Sequence, residues 1–390
     1  MSRPTEFSIP FHRPSLGTEE EQAVLRVMRS GWLTTAGEAQ AFEQEFGEAA
    51  GARHAIAVSS ATAGLHLALE AIGIGPGDQV ITTPYTFTAT AEVIRYLGAD
   101  PLFVDVLPDD LTINPDAVRA ACAHGERIRA ILPVHFGGHP CRMDALSSIA
   151  DEYGIRIVED AAHAFPAASG GRSLGTWGTC GVYSFYATKT ITTGEGGMVV
   201  TDDDAIARRM SVMRLHGIDR DVWDRYTSAR PSWEYDVVAP GYKYNLPDLL
   251  AAIGRVQLRK AGPMREARAA VARLYHEALA TCDYLHLPPR SDESSWHLFV
   301  IRVDPKLGIA RDELMTRLAE AGVATSLHYK PIHLFSYYRD RYRLSAGDFP
   351  VSLQAYEHAL SLPIYPGLGE AECAYICRSI RQICEGGRGS

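Results

Sequence analysis

The chain has 390 residues, more than one ordinary hydrophobic core accommodates, and this length predicts two structural units. Hydrophobic residues make up 46% of the sequence and charged residues 22%, which is typical of a globular protein. The net charge of −9 argues against nonspecific nucleic-acid binding, which requires an excess of Lys and Arg. An anionic ligand stays compatible, because backbone N–H groups can hold a phosphate locally in an acidic protein.

The apolar runs and the cysteines indicate the cellular setting. No apolar run approaches the roughly 20 residues that a membrane span requires. The polar segment 1–14 lacks the apolar core of a secretory signal, so we expect a cytoplasmic protein that does not contact a membrane. Cys373, Cys377 and Cys384 recur at helical spacing, which favours the buried face of a helix over a metal or redox site.

Between residues 53 and 215, short β-branched runs alternate with amphipathic stretches. The predicted strands are His54–Val58, Gln79–Thr82, Pro101–Asp105, Ile128–Val134, Ile155–Val158, Val182–Phe185 and Met198–Thr201. The predicted helices are Thr62–Ile72, Thr88–Leu97, Pro115–Ala123, which Asn114 caps, and Met143–Tyr153. Because each helix lies between two strands, the pattern predicts an α/β fold with a mostly parallel, seven-stranded sheet.

The pattern changes after about residue 245, where a smaller α+β unit is predicted. Its predicted helices are Leu249–Ala280, Arg311–Ala321 and Glu370–Glu385, and its predicted strands are His297–Val303 and Ala324–His328. An N-terminal helix, Thr18–Arg29, is expected to pack across both units. We therefore divide the chain into an N-terminal arm (1–20), a large unit (21–245) and a small C-terminal unit (246–390).

A run of small residues, Ser59–Gly64, follows the first predicted strand and opens a helix. Small side chains let the backbone approach a ligand, and the helix N-terminus offers free N–H groups and a partial positive charge. The run therefore fits a phosphate-binding turn. Because many strand-to-helix turns have similar sequences, the run indicates phosphate binding only in combination with other motifs.

Asp160 and His163 lie just after the predicted strand Ile155–Val158. In open α/β sheets this carboxyl end is where ligands bind. An Asp there can pair with the nitrogen of a pyridine cofactor, keep the ring protonated and make it a better electron sink. His163 can then reach the phenolic oxygen of that ring. The alternatives are a capping or metal-binding carboxylate for Asp160 and an ordinary buried imidazole for His163.

Lys189 follows Ser184 by five residues and precedes a glycine turn, Thr193–Met198. A lysine beside an aspartate-paired cofactor can bind it covalently and, once released, act as a general base. The Ser184 hydroxyl would add to the phosphate-binding turn. A solvated surface lysine is the alternative interpretation of Lys189 taken alone.

These segments in this order resemble the sugar-aminotransferase family of fold type I pyridoxal-phosphate (PLP) enzymes, the DegT/DnrJ/EryC1/StrS group. The resemblance covers nearly the whole chain. Beyond the segments around Asp160 and Lys189, it includes Gly31–Thr35, Pro84–Phe87, Pro133–Gly138, Leu215–Gly217, Gly241–Leu246, Trp296–Phe299 and His328–His333. The family implies a large domain built on the parallel sheet, a smaller α+β C-terminal domain and PLP as cofactor.

The resemblance also implies a role for individual residues. Lys189 forms the Schiff base with PLP, Asp160 meets the pyridine nitrogen, and His163 meets the phenolic oxygen. Members of the family work as homodimers in which the partner subunit completes each active site, and the segment Lys243–Asn245 would reach across. The resemblance further implies that Phe87 stacks on the ring face and that Ala61, Thr62 and Ser184 bind the phosphate. Asn245 is implied as a further cofactor-binding residue.

Two departures from the common pattern narrow the resemblance. Many members carry Gln where this chain has His163, and Asn-Tyr-Arg where it has Lys243–Asn245. Both variants resemble the UDP-4-amino-4-deoxy-L-arabinose synthase type, and residues 221–225 and Arg230 fit that branch as well. Arg230 would clamp the carboxylate of the amino donor, since a guanidinium binds carboxylates bidentately. A surface loop arginine is the alternative for Arg230.

The resemblance implies transfer of the amino group of L-glutamate to C4 of a nucleotide-diphospho-4-keto sugar. The nucleotide would be UDP or dTDP, and the sugar a 4-ketopentose or a 4-keto-6-deoxyhexose. The substrate-binding residues would be Arg230, Lys243, His328 and Lys330, with the two lysines facing the diphosphate.

Four other functions compete with this interpretation. Amination at C3 is compatible with the same cofactor site, although the variants at His163 and Lys243 favour C4. A sugar dehydratase of the same fold would carry His in place of Lys189. A non-catalytic regulator that senses PLP or an amino sugar would be expected to lose Lys189, Asp160 or the glycine turn. A nicotinamide-dependent dehydrogenase would need a glycine fingerprint after the first strand, which is absent from the sequence.

Overall fold

The computed structural model describes residues 7–219 and 235–387. The α-helices, α1 to α12 in chain order, are Thr18–Ser30, Gly37–Ala50, Ala61–Ala71, Thr88–Tyr96, Pro115–His124, Met143–Tyr153, Asp204–Met213, Asp248–Leu279, Arg311–Glu320, Ser336–Tyr342, Pro350–His358 and Glu370–Gly387. The strands, β1 to β12, are His54–Val58, Gln79–Thr82, Asp100–Phe103, Ile128–Leu132, Arg156–Asp160, Ala168–Ser169, Arg172–Ser173, Cys180–Ser184, Gly197–Thr201, Leu285–His286, Phe299–Val303 and Ala359–Leu362.

A seven-stranded sheet organises the first part of the chain, with strand order β1-β9-β8-β5-β4-β2-β3. Strand β9 runs antiparallel to β1 and β8, and the other neighbouring pairs are parallel. Helices cover both faces, which is why β9 is buried along its whole length and reads as a continuous apolar run. The predicted α/β fold with a mostly parallel seven-stranded sheet is confirmed.

The predicted elements that the structure contains begin and end within two residues of the observed ones. Strands β1 and β2 and helix α6 match the predicted ranges without any shift. At α5 the Asn114 side chain accepts a hydrogen bond from the Asp116 N–H at 3.0 Å, so Asn114 is the N-cap that the Asn-Pro pair predicts. Local sequence therefore specifies these elements strongly.

One predicted strand, Ala324–His328, is wrong. Only Ser326 pairs there, through an isolated bridge to Ser361. Beyond that bridge the chain is no longer in the sheet, and the carbonyl of His328 accepts a hydrogen bond from the Tyr85 hydroxyl at 2.8 Å. The prediction also lacked helices α2, α7, α10 and α11, the two-residue strands β6, β7 and β10, and strand β12.

The C-terminal part is built on an antiparallel three-stranded sheet, β10-β11-β12. Helices α8, α9 and α12 pack against it, and Cys373, Cys377 and Cys384 lie on the buried face of α12, as predicted. Helix α1 packs on the start of α8 through small apolar side chains, among them Ala23 and Val256. Within 7–219 and 235–387, no helix has both the length and the apolarity needed to cross a bilayer.

Helix α3 lies unusually close to the sheet, and Gly64 permits this. A Cβ atom at Gly64 would lie 2.7 Å from Val182 Cγ1 and 2.9 Å from Val199 Cγ2, so a larger residue would push the helix away. The N-terminus of α3 consequently sits over the carboxyl ends of the neighbouring strands. In open α/β sheets this edge is the usual place for a ligand.

Candidate active site

A cavity of about 570 Å³ opens at the carboxyl edge of the seven-stranded sheet. This size suits a cofactor together with a small substrate. Eight of the residues singled out in the sequence line it: Ala61, Thr62, Phe87, Asp160, His163, Ser184, Lys189 and His328. Among the residues that the structure describes, no group of three His, Cys, Asp or Glu side chains is arranged to hold a metal ion.

The start of α3 forms one end of the cavity. Ser60 caps the helix, accepting a hydrogen bond from the Ala63 N–H at 3.1 Å. Helix geometry leaves the N–H groups of Ala61 and Thr62 without an intrahelical acceptor, so they are available to an anion. Gly197 of β9 brings the sheet against this turn, because a Cβ there would lie 2.8 Å from the Ala61 nitrogen. The turn is therefore a narrow cup of N–H groups.

Asp160 ends β5 and points into the cavity, whereas Glu159 points to the opposite face of the sheet, as strand geometry requires. The Asp160 carboxylate accepts hydrogen bonds from Thr90 Oγ1 at 2.8 Å and from the Ala162 N–H at 3.2 Å. Burial raises the pKa of Asp160, and these hydrogen bonds and the charge of Lys189 offset only part of that rise. A cationic ring nitrogen would stabilise the carboxylate here.

Lys189 lies in the loop after β8, in the same cavity as Asp160. Burial lowers the pKa of Lys189 to about 8, and the Asp160 carboxylate opposes this shift. Near neutral pH an appreciable fraction of the amine is therefore unprotonated, which is the form that attacks a carbonyl or accepts a proton. The arrangement can support nucleophilic and general-base chemistry.

The ring of His163 is held at both of its nitrogens. The Gly137 N–H donates to Nδ1 at 3.3 Å, and Nε2 lies 3.1 Å from the Tyr329 hydroxyl. Burial, followed by the charges of Lys189 and His328, lowers the pKa of His163 well below its usual value. Because Nδ1 accepts a hydrogen bond in a neutral ring, Nε2 carries the proton. His163 is thus a neutral N–H donor at the cavity.

Three residues of the site were missed by sequence reasoning: Thr90, His297 and Tyr329. Thr90 lies on the first turn of α4 and bonds both Asp160 and the Thr86 hydroxyl, the latter at 2.8 Å. Its signal was the pair of threonines spaced four residues apart after a strand. His297 and Tyr329 belong to motifs that carried the family resemblance, but no local pattern marked either as a cavity residue.

The structure places Lys243 and Asn245 away from this cavity. They line a second cavity of about 360 Å³, together with Thr34 and Thr35. Lys243 Nζ donates to Asn245 Oδ1 at 2.6 Å, and Asn245 Nδ2 donates to Thr35 Oγ1 at 2.6 Å. Within one described chain, the segment therefore does not meet Lys189.

The remaining residues singled out in the sequence differ in their position relative to the cavity. Phe87 is 59% exposed at the cavity, which is unlike a core aromatic. Lys330 is exposed outside the cavity wall, with its ammonium 5.0 Å from the centre of the Phe335 ring. Arg230 and the segment 221–225 lie outside the described residues.

A family model, the DegT/DnrJ/EryC1/StrS aminotransferase family, matches residues 14–381. The chain belongs to this family. The Bacillus subtilis spore coat polysaccharide biosynthesis protein SpsC is 42% identical over 382 residues, which are 97% of each chain. The family and its relatives make the protein a PLP-dependent sugar aminotransferase with the fold type I architecture.

Solved structures of family members superpose closely on the chain. The PLP form of the putative sugar aminotransferase Spr1654 from Streptococcus pneumoniae has a TM-score of 0.89 at 29% identity, with 98% of this chain and 100% of that chain covered. PseC from Helicobacter pylori, an aminotransferase of pseudoaminic acid biosynthesis, has a TM-score of 0.91 at 27% identity, with 97% and 100% covered. The protein accordingly uses PLP and acts on a sugar and an amino donor.

The groups present in the cavity fit PLP. The N-terminus of α3 offers N–H donors to a phosphate, and Asp160 offers a carboxylate whose raised pKa a ring N–H⁺ would lower. The amine of Lys189 and the neutral N–H of His163 supply one nucleophile and one donor to an oxygen. Phosphate, pyridine nitrogen, aldehyde and phenolic oxygen of PLP therefore each find a chemical complement.

Proposed function

We propose that this family member transfers the amino group of L-glutamate to C4 of a nucleotide-diphospho-4-keto sugar. The observation that carries the proposal is the joint presence of Lys189, Asp160 and His163 around one cavity at the sheet edge. PLP supplies the electron sink that makes the Cα–H bond of the donor acidic. The relatives SpsC and PseC support a role in the synthesis of surface or modified sugars, since their names state such pathways.

In this proposal Lys189, Asp160, Thr90 and His163 have separate roles. Lys189 would hold the cofactor through its buried amine, and the same amine, whose pKa burial lowers to about 8, would serve as the base that takes the proton from the donor Cα. Asp160 keeps the pyridine nitrogen protonated, and Thr90 orients the Asp160 carboxylate. His163 would offer its single Nε2–H, which lies 3.1 Å from the Tyr329 hydroxyl, to the phenolic oxygen, and the Tyr329 hydroxyl would then share or give up that proton. The neutral amide of Gln would fill this role equally well.

The phosphate of PLP is assigned to the N–H groups of Ala61 and Thr62 and to the Ser184 hydroxyl. Ser184 lines the cavity from the end of β8. Phe87, which is exposed at the cavity, would stack on the ring face. In this assignment the N-terminus of α3 and Ser184 would hold the phosphate, and Lys189 would face the aldehyde.

We further propose a homodimer in which Lys243 and Asn245 serve the active site of the partner subunit. Their position in a second, separate cavity supports a task other than contacting the cofactor of their own chain. Lys330 and His328 are assigned to the substrate, with Lys330 facing the diphosphate and Arg230 facing the donor carboxylate. The division at residue 245 would then separate the cofactor-binding unit from the C-terminal unit.

The test is an absorbance titration of the PLP-loaded protein. L-Glutamate should replace the visible band of the bound cofactor by a near-ultraviolet band, and a 4-keto nucleotide sugar should restore the visible band. A 3-keto nucleotide sugar serves as the matched control and should restore it at least about tenfold more slowly.

The two halves of this experiment separate the claims. A protein that responds to glutamate but prefers the 3-keto sugar would contradict the C4 assignment alone. Absence of any response to glutamate would contradict the donor assignment, and a panel of other amino acids would then identify the donor.

A further inference from the structure

A second imidazole, that of His297, forms part of the cavity wall behind His163 and has no task in the proposed function. The side chain is 6% exposed and its ring centre lies 4.3 Å from that of His163, with the planes tilted by 41°. Its Nδ1 is buried without a hydrogen-bond partner among the described residues. A buried ring that leaves a polar atom unpaired costs stability, so its position calls for an explanation.

The segment Ser294–Leu298, which carries His297, is fastened to the residues around His163. The Ser295 N–H donates to the Gly138 carbonyl at 3.2 Å, and the Leu298 N–H donates to the Gly137 carbonyl at 3.2 Å. The Ser295 hydroxyl donates to the carbonyl of His163 itself at 2.5 Å. His297 is thereby held at a fixed distance from the His163 backbone.

Gly138 allows this close approach. Its φ is +93°, and a Cβ atom there would lie 1.9 Å from Ser295 Oγ and 3.0 Å from the His163 carbonyl oxygen. No side chain other than hydrogen fits between the two segments. The sheet edge and the C-terminal segment are therefore in direct contact at the point where His163 turns into the cavity.

Helix α8 fixes the same segment from the other side. Arg265 Nε donates to the Ser294 carbonyl at 3.0 Å. Arg268, which is 1% exposed, donates from Nη1 to the Ile364 carbonyl at 2.7 Å and to the Trp296 carbonyl at 3.4 Å. The backbone just before His297 is consequently held by two arginines of α8.

The groups that, besides burial, shift the pKa of His297 most are cationic or imidazole groups. Burial and, after it, His163, Lys189, Arg268 and His328 lower the pKa of His297 well below its usual value. His297 therefore stays neutral at physiological pH. A neutral ring can pack on His163 without repelling it and without competing for the proton on Nε2.

We propose that His297 is a positioning residue whose ring fixes the plane of His163, so that the Nε2–H of His163 points at the phenolic oxygen of the cofactor. The inference rests on the proposed contact between His163 and that oxygen. Rotation of the His163 ring would break the bond from the Gly137 N–H to Nδ1 and turn Nε2–H away from the cofactor plane. The His297 ring, whose centre lies 4.3 Å from that of the His163 ring, occupies one side of that ring and would hinder this rotation.

The experiment compares His297→Ala with His297→Phe. The readouts are the affinity of the apoprotein for PLP and the pH midpoint of the visible band of the loaded protein. Removing the ring should weaken PLP binding about tenfold, because the contact to the phenolic oxygen is lost in part. It should raise the midpoint by about one unit, since a donor to that oxygen favours the form in which the oxygen carries the most charge.

His297→Phe should stay within about threefold of the unchanged protein in both readouts, because it keeps a ring in the same place. His276→Ala is the matched control. His276 is also buried with an unpaired nitrogen and packs on Trp296, but it does not line the cavity. This control should lower thermal stability without moving the midpoint.

Three results would overturn the inference. His297→Ala could leave affinity and midpoint unchanged, His297→Phe could be as impaired as His297→Ala, or His276→Ala could shift the midpoint by the same amount. In each of these cases the unchanged protein still shows its visible band. Absence of that band in the unchanged protein would instead contradict the proposed function and, with it, the inference.

Discussion

The two walls of the cavity carry different kinds of group. The wall formed by the strand ends of the seven-stranded sheet holds the charged pair Lys189 and Asp160 and the N–H groups of α3. The wall formed by the C-terminal residues holds the rings of His297, His328 and Tyr329. Burial keeps these rings neutral and, in the case of His328, lowers the pKa to about 4.

This difference follows from how each wall is built. Neighbouring parallel strands end at one edge, so short loops bring opposite charges and backbone donors close together at fixed positions. The C-terminal segments come from a separate sheet and meet the first wall through packed rings and a few hydrogen bonds, such as that between Tyr329 and His163. We infer that the first wall performs the chemistry and the second sets its geometry.

The largest expected effect is that of Lys189→Ala. Sugar transamination should fall by about 10³-fold or more, because the variant lacks both the covalent anchor and the general base. Turnover with glutamate and a keto nucleotide sugar measures the loss, and Lys306→Ala, an exposed lysine outside the cavity, is the control. Retained turnover would place the catalytic base elsewhere and contradict the inference that the sheet-edge wall performs the chemistry.

Asp160→Asn should reduce the rate of the first half-reaction by about 10² to 10³-fold, since the amide cannot stabilise a protonated ring nitrogen. Because Asn fills nearly the same space and can still bond Thr90, PLP binding should persist. Single-turnover absorbance with glutamate measures the rate. A rate within threefold of the unchanged protein would show that the charge on this wall is not needed.

The pH dependence of PLP capture tests the state of Lys189 directly. The pKa of about 8 lies below the usual lysine value because of burial. The neutral fraction, and with it the capture rate of the apoprotein, should rise about tenfold per pH unit below that value and level off above it. Lys189→Ala should show no covalent capture at any pH. A rate that keeps rising towards pH 10 would contradict a desolvated amine.

Tyr329→Phe probes the second wall and should have a smaller effect. It removes the hydroxyl beside His163 Nε2, a neutral contact worth about 1 kcal/mol, so the first half-reaction should slow by about fivefold or less. Stopped-flow absorbance with glutamate measures it. A loss above 100-fold would move part of the chemistry to the C-terminal wall.

The smallest expected effect is that of Lys330→Ala. An exposed ion pair contributes little, so the KM for the nucleotide sugar should rise by about fivefold or less, with the glutamate half-reaction unaffected. Initial rates at varied sugar concentration measure the change. If both half-reactions slowed together, Lys330 would not act in sugar binding alone, which would contradict the prediction.

Much of the fold was predictable because its signals are local. The strands of the large sheet are short β-branched runs, and their separation by helical stretches specifies a parallel sheet without knowledge of any contact. Asn114 marks the start of α5 by itself. The strand expected at Ala324–His328 is absent: the segment makes only isolated backbone contacts with Ile9 and Ser361, and the His328 carbonyl bonds the Tyr85 hydroxyl, all of which are tertiary contacts that local sequence does not encode.

The candidate site divides in the same way. Asp160, Lys189 and the start of α3 were visible because each lies at the end of a predicted strand with a recognisable motif. His297 and Tyr329 were not, because the segments that carry them reach the cavity only through packing against other parts of the chain. No periodicity or spacing encodes that approach. Thr90 did have a local signal, its spacing of four residues from Thr86 after a strand, but it was not used.

The sequence by itself determined the family, the cofactor and the order of the charged residues around it, because strand periodicity and short motifs are properties of neighbouring residues. Only the tertiary structure decided that His163 is a neutral donor held between Gly137 and Tyr329 and that Lys243 and Asn245 lie in a cavity of their own. Protonation and orientation depend on burial and on groups that are distant in sequence, and these exist only once the chain has folded.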